Sequence, residues 1–233
     1  MEKAKIEEHL NKAWLFIQTL RPVLAENELR ELAFLEEDGC CDIGYRIDYL
    51  DLRHRLAIFN GENDAGMSFM EKAITIAPND NSRGTMYASL AHDYYYRQAD
   101  RVKTVVYADK ALSLVDEPVL KISPLSLKGF CLLDESKYVE ALQCFGDAEY
   151  IAEQAHAPGE RATTIMGIAK VYRAMGKLEI ALSEMTRAER YAKETRNLEL
   201  GLKFYIKKID LLFEMGKDAE ARQLITLLAK QEN

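Results

Sequence analysis

The side chains best suited to chemistry in this chain are its four histidines and four cysteines. His9, His54, His92 and His156 are scattered along the length, and none has an acidic or cysteine neighbour at the spacing of a metal site. Cys40 and Cys41 are adjacent, which strains any bridge between them, and no C-x-x-C pair exists for zinc or redox work. Cys131 and Cys144 fall at helix-core spacing and read as small buried hydrophobes. There is no G-x-S-x-G, no H-E-x-x-H, no Walker loop and no glycine-rich dinucleotide turn. The sequence therefore assigns no catalytic residue, no metal ligand and no cofactor, and an enzyme is not expected. What remains is recognition. The densest aromatic patch is Asp93-Tyr94-Tyr95-Tyr96-Arg97. On a helix its rings point about 100° apart, so the three tyrosines cannot share one face.

The elements that would position such residues are repeated. Gly176 and Gly216 are 40 residues apart, and each is followed five residues later by an alanine, Ala181 or Ala221. The same small–large–small pattern recurs upstream as Gly66, Met70, Ala73, then Thr104, Ala108, Ala111, then Ala141, Phe145, Ala148. Small residues let two antiparallel helices approach, the large one fills the gap between them, and glycine permits the turn. Self-similarity at this period means stacked helical hairpins, each unable to bury its own apolar face. The expected fold is an all-α, right-handed α-solenoid of about five hairpins, near 47–80, 85–118, 122–157, 162–196 and 202–231. His54 and His92 share one repeat position and read as local hydrogen-bonding residues.

Residues 1–42 fit the template poorly and read as a capping hairpin ahead of the repeat region, 43–233. Ile6, Leu10, Ala13, Trp14, Ile17 and Leu20 make one apolar stripe at helical spacing, with Trp14 as its core anchor. Pro22 breaks or starts a helix. The longest early apolar run, Ala13 to Ile17, is too short for a signal core or a membrane span. The net charge of −7 disfavours a nucleic-acid backbone as a general partner. Cysteine usage suits a reducing cytoplasm.

The spacing Gly129…Ala141…Phe145…Ala148 and Gly66…Met70…Ala73…Pro78 resembles the tetratricopeptide repeat, and the resemblance covers roughly residues 43–231. The chain departs from that repeat in having units of 37–40 residues rather than 34. It departs again where the usual first-helix aromatic is Leu50, Ala88, Leu125 or Ile165, with only Tyr205 aromatic. The resemblance implies a protein or peptide ligand held in a concave groove lined by first-helix residues. Carried over residue by residue, that groove comprises Asp51 and Arg55, then Asp93, Tyr96 and Arg97, then Phe130, then Lys170 and Arg173, then Lys203 and Asp210. It implies an adaptor or scaffold, or alternatively a bacterial regulatory peptide sensor without its own DNA-binding domain. The lysine–asparagine clamp of the chaperone-binding members is missing, since Asp51 and Arg55 stand at its first-repeat sites. In the last helix, Ala221, Ile225 and Leu228 are expected to pack inside the fifth hairpin. Leu224 and Leu227 then face outward as a possible two-fold dimer patch.

Overall fold

A computed structural model of the protein describes residues 2–37, 42–195 and 198–231. Among them are twelve α-helices joined by short turns and two 3₁₀ turns, at 33–36 and 118–121. They fall into two compact units, residues 1–86 and 87–233, with the fifth helix running through the division. None of the described helices is long and apolar enough to cross a membrane.

The first unit holds α1 (Lys3–Gln18), α2 (Pro22–Glu31), α3 (Ile43–Phe59) and α4 (Asn63–Ile76). Pro22 stands in the first turn of α2, where its missing N–H costs nothing. Ile6, Leu10, Ala13 and Ile17 of α1 are buried, as are Ala25 and Leu29 of α2. Trp14 is not the expected anchor: it is 52% exposed. It lies one residue, about 100°, beyond Ala13, and the narrow stripe that α1 buries ends there. Leu20 follows the helix with φ +57° and is also exposed. In α3, Arg46 donates to the Leu35 carbonyl oxygen at 3.1 Å and Tyr49 donates to Glu36 at 2.9 Å, which ties the 3₁₀ turn to the helix. His54 is 1% exposed, and its Nδ1–H donates to the Gly66 carbonyl oxygen at 2.9 Å, fastening α3 to α4.

The fifth helix, α5, spans Asp80–Tyr96. After it come α6 (Arg101–Leu114), α7 (Ile122–Asp134), α8 (Tyr138–Gln154), α9 (Pro158–Ala174), α10 (Leu178–Glu194), α11 (Leu198–Glu214) and α12 (Asp218–Gln231). The pairs α7–α8, α9–α10 and α11–α12 are antiparallel hairpins, and α8–α9 and α10–α11 pack consecutive hairpins together. Their turns repeat one device. A residue at positive φ lets the next N–H reach back to a carbonyl five residues earlier and closes the helix end. Gly176 (φ +73°) does so through Lys177 N–H to Tyr172 O at 2.9 Å, and Gly216 (φ +71°) through Lys217 to Leu212 at 2.9 Å. Ser136 (φ +60°) and His156 (φ +50°) hold the same place at a steric cost that glycine would not incur.

The second helices bury the small–large–small residues named from the sequence: Ala141, Phe145 and Ala148, then Ala181, Met185 and Ala188. The first helices bury two faces. Ile165 and Ala169 of α9 pack with Met185 and Ala188 of their own hairpin. Thr164, Ile168 and Val171 are also buried, and Ile168 and Val171 pack with Phe145 of the hairpin before. Phe145 occupies a slot made by two glycines: a Cβ on Gly129 would stand 2.9 Å from its ring, and one on Gly167 only 2.4 Å. In the last hairpin the inward residues are Phe204, Leu211, Leu212 and Ala221. Ile225 does not pack inside as expected but is 45% exposed, although Ala221 one turn before it is fully buried. Leu227 is 52% exposed and Leu224 half-buried.

Candidate functional site

Residues three, seven and ten apart share one side of a helix. On α11 this stripe is Lys203, Ile206, Asp210 and Phe213, with Ile206 47% and Phe213 42% exposed. On α9 it is Thr163, Met166, Lys170 and Arg173. The two stripes meet. Arg173 Nε donates to Glu214 at 2.5 Å, from one hairpin's first helix to the next. Lys207 Nζ faces Asp210 at 3.7 Å. Lys203 is exposed.

Towards α7 the face changes character. Phe130, expected to line the groove, is 6% exposed. Its ring meets Phe145 edge-on at 4.9 Å and Tyr95 at 5.8 Å, so it is drawn into the core by the aromatic contacts beneath it. Lys170 Nζ lies 4.7 Å above the centre of the same ring. Phe130 is therefore the floor under a cation and presents no free ring. The Lys170 ammonium is pushed below its ordinary pKa by burial first and by Lys207 second, with Asp134 opposing both.

The end of α5 adjoins this floor. Tyr94 is 5% exposed and stacks on Tyr107 at 5.3 Å. Tyr95 donates to Asp134 at 3.1 Å, and its ring lies 4.1 Å from the Arg101 guanidinium. Arg101 Nε reaches the same carboxylate at 2.5 Å, so one acid joins α5, α6 and α7. Burial, then Asp134, holds the Tyr95 phenol well above its usual range; it acts as a donor and stays protonated. Tyr96 is the ring left outward, 55% exposed, with His92 at 4.6 Å and Tyr95 at 4.8 Å. Asp93 and Arg97 pair with each other at 3.1 Å.

In the first unit, Asp51 and Arg55 pair at 2.6 Å, one helical turn apart. The structure thus brings Tyr96, Phe130, Lys170, Arg173 and Asp210 into one chain of neighbours in the second unit, while Asp51 and Arg55 belong to the first. Three charged groups of this face went unnamed in the sequence reading: Asp134, Lys207 and Glu214. Glu214 had a legible signal, standing 41 residues after Arg173 and so one repeat on. Among the cysteines, Cys40 and Cys41 lie outside the described residues, Cys131 is 1% exposed and Cys144 is half-buried. No group of three His, Cys, Asp or Glu among the described residues could hold a metal ion.

No protein-family model matches the sequence, and no curated protein does. Solved structures do match in fold. Aspartyl phosphate phosphatase F from Bacillus subtilis superposes with a TM-score of 0.66 at 17% identity, covering 96% of this chain and 73% of that one. NprR in complex with its cognate peptide NprX gives 0.66 at 18%, covering 97% and 67%. A tetratricopeptide repeat protein from Parabacteroides merdae gives 0.60 at 18%, covering 97% and 80%. The chain is all-α and has the fold of tetratricopeptide-like solenoid proteins.

Proposed function

We propose that this chain is a non-catalytic recognition module that holds a peptide, or an extended segment of a protein partner, against the first helices of its second unit. The observation that carries the reading is the α11 stripe. Two large apolar side chains, Ile206 and Phe213, stand exposed in alternation with Lys203 and Asp210, beside the α9 stripe that carries Lys170 and Arg173. Exposed apolar residues in such a row offer pockets for alternate peptide side chains, and the flanking charges set register. The neighbour of the same fold that was solved with the peptide NprX supports a peptide as the ligand class. The role that follows is a cytoplasmic adaptor. A peptide ligand is equally compatible with a regulatory sensor that changes shape with its peptide; small-angle scattering of the saturated protein distinguishes it from a static adaptor by a changed radius of gyration.

The test is a random octapeptide library displayed against the immobilised chain. Enriched peptides should bind the wild type and lose affinity at least about tenfold to Ile206→Glu with Phe213→Glu, the scale of losing one well-buried anchor. Failure to enrich any peptide, or indifference to the double substitution, would overturn the reading.

A further inference from the structure

Among the described residues, Lys170 has no ion-pair partner, and only the more distant Asp134 favours its charge. It is half-buried, its Nζ rests 4.7 Å over the Phe130 ring, and no described carboxylate lies within ion-pair distance. The nearby acids are already engaged. Asp134 receives Arg101 and Tyr95, Glu214 holds Arg173, and Asp210 faces Lys207. The neighbouring Lys207 has the same sign. A lysine in this position is costly without a counter-ion, because burial removes water that no carboxylate replaces. The ring beneath offsets only part of that cost. A side chain needed merely to cover Phe130 would serve better as methionine, which is nearly as long and carries no charge.

We propose that Lys170 receives a carboxylate of the bound peptide, placed over Phe130 between α7 and α11. This rests on the peptide reading above and adds the sign of the ligand at one position. A single carboxylate fits better than a phosphate. Among the described residues the site offers one unpaired ammonium, and a dianion there would also meet the field of Asp134, Asp210 and Glu214.

The experiment pans the octapeptide library in parallel against wild type, Lys170→Met and Lys170→Arg. Wild type and Lys170→Arg should enrich aspartate or glutamate at one peptide position, and Lys170→Met should lose that preference while still enriching the other positions. A synthetic pair differing by Glu→Gln at that position should differ at least about tenfold in Kd on wild type and not at all on Lys170→Met, as for one charge-assisted contact. Amidated and free-acid C-termini in the same series separate an acidic side chain from the chain terminus as the source. Enrichment without an acidic position, or an acidic preference that survives Lys170→Met, overturns this assignment alone. Failure of all three proteins to enrich any peptide overturns it together with the peptide reading.

Discussion

Replacing Gly167 by alanine sets two physical effects against each other. In the middle of an α-helix, glycine to alanine stabilises by about 1 kcal/mol through lost backbone freedom in the unfolded chain. Here the new methyl would stand 2.4, 2.7 and 2.8 Å from three carbons of the Phe145 ring. Carbon atoms meet comfortably at about 3.5–4.0 Å, so the ring must move by roughly 1 Å. It is fully buried and also rests on Gly129, where a methyl would be only 2.9 Å away, so retreat from α9 presses it into α7. Overpacking of this kind costs about 1–3 kcal/mol, and a rigid ring held from more than one side belongs at the upper end. The net expectation is a loss of about 2 kcal/mol. Gly146 provides the control, since a methyl there meets nothing within 4 Å and alanine should gain about 0.5–1 kcal/mol. Equilibrium urea unfolding of the two variants should separate them by roughly 3 kcal/mol. Phe145→Leu combined with Gly167→Ala should lose less than the two single changes summed, since the smaller side chain vacates the contested space. Equal stabilisation by both alanines would refute the packing argument.

Three further outcomes follow from separate parts of the molecule. Ser136→Gly relieves a positive φ in the α7–α8 turn and should raise stability by about 0.5–1 kcal/mol, while a loss would mean that the serine side chain contributes more than its strain costs. The Cys131 thiol is pushed up to about 11, chiefly by burial, so at pH 8 only about one thiol in a thousand is ionised; iodoacetamide labelling read by mass spectrometry should reach half-buried Cys144 before Cys131, and equal rates at these two would contradict the burial. We propose a two-fold dimer through α12, where Leu227 is exposed and Leu224 half-buried; light scattering at micromolar protein should give twice the chain mass, and Leu224→Glu with Leu227→Glu should halve it, whereas a wild-type monomer would end the proposal.

The second helices were the legible part of this fold, for a simple reason. Ala181, Met185 and Ala188 form a single inward stripe, and one stripe has one period. The first helices pack on two neighbours at once, so their buried residues cover a broad arc. Thr164, Ile168, Val171 and Phe204 were missed for that reason. Trp14 was misplaced because residue type outweighed phase: its size argued for the core, while Ala13 beside it already held the buried position. The candidate residues were legible as positions on first helices but not in their electrostatics. The positions carried over from the repeat put Lys170 and Arg173 on α9 and Phe130 on α7. They do not reveal that Arg173 is paired with Glu214, that Lys170 has no ion-pair partner among the described residues, or that Phe130 lies beneath a cation. Those facts depend on side chains that meet only when hairpins stack.

Recognition on the first helices is tested most directly by amide hydrogen exchange with and without a library-selected peptide. The second helices serve as an internal reference, because α8, α10 and α12 belong to the same hairpins and share their global stability. Saturating peptide should slow exchange in α7, α9 and α11, most of all around Lys170 and Ile206, and leave the outward residues of α8 and α10 unchanged. Protection confined to α8, α10 and α12, or spread evenly over both sets, would contradict the account.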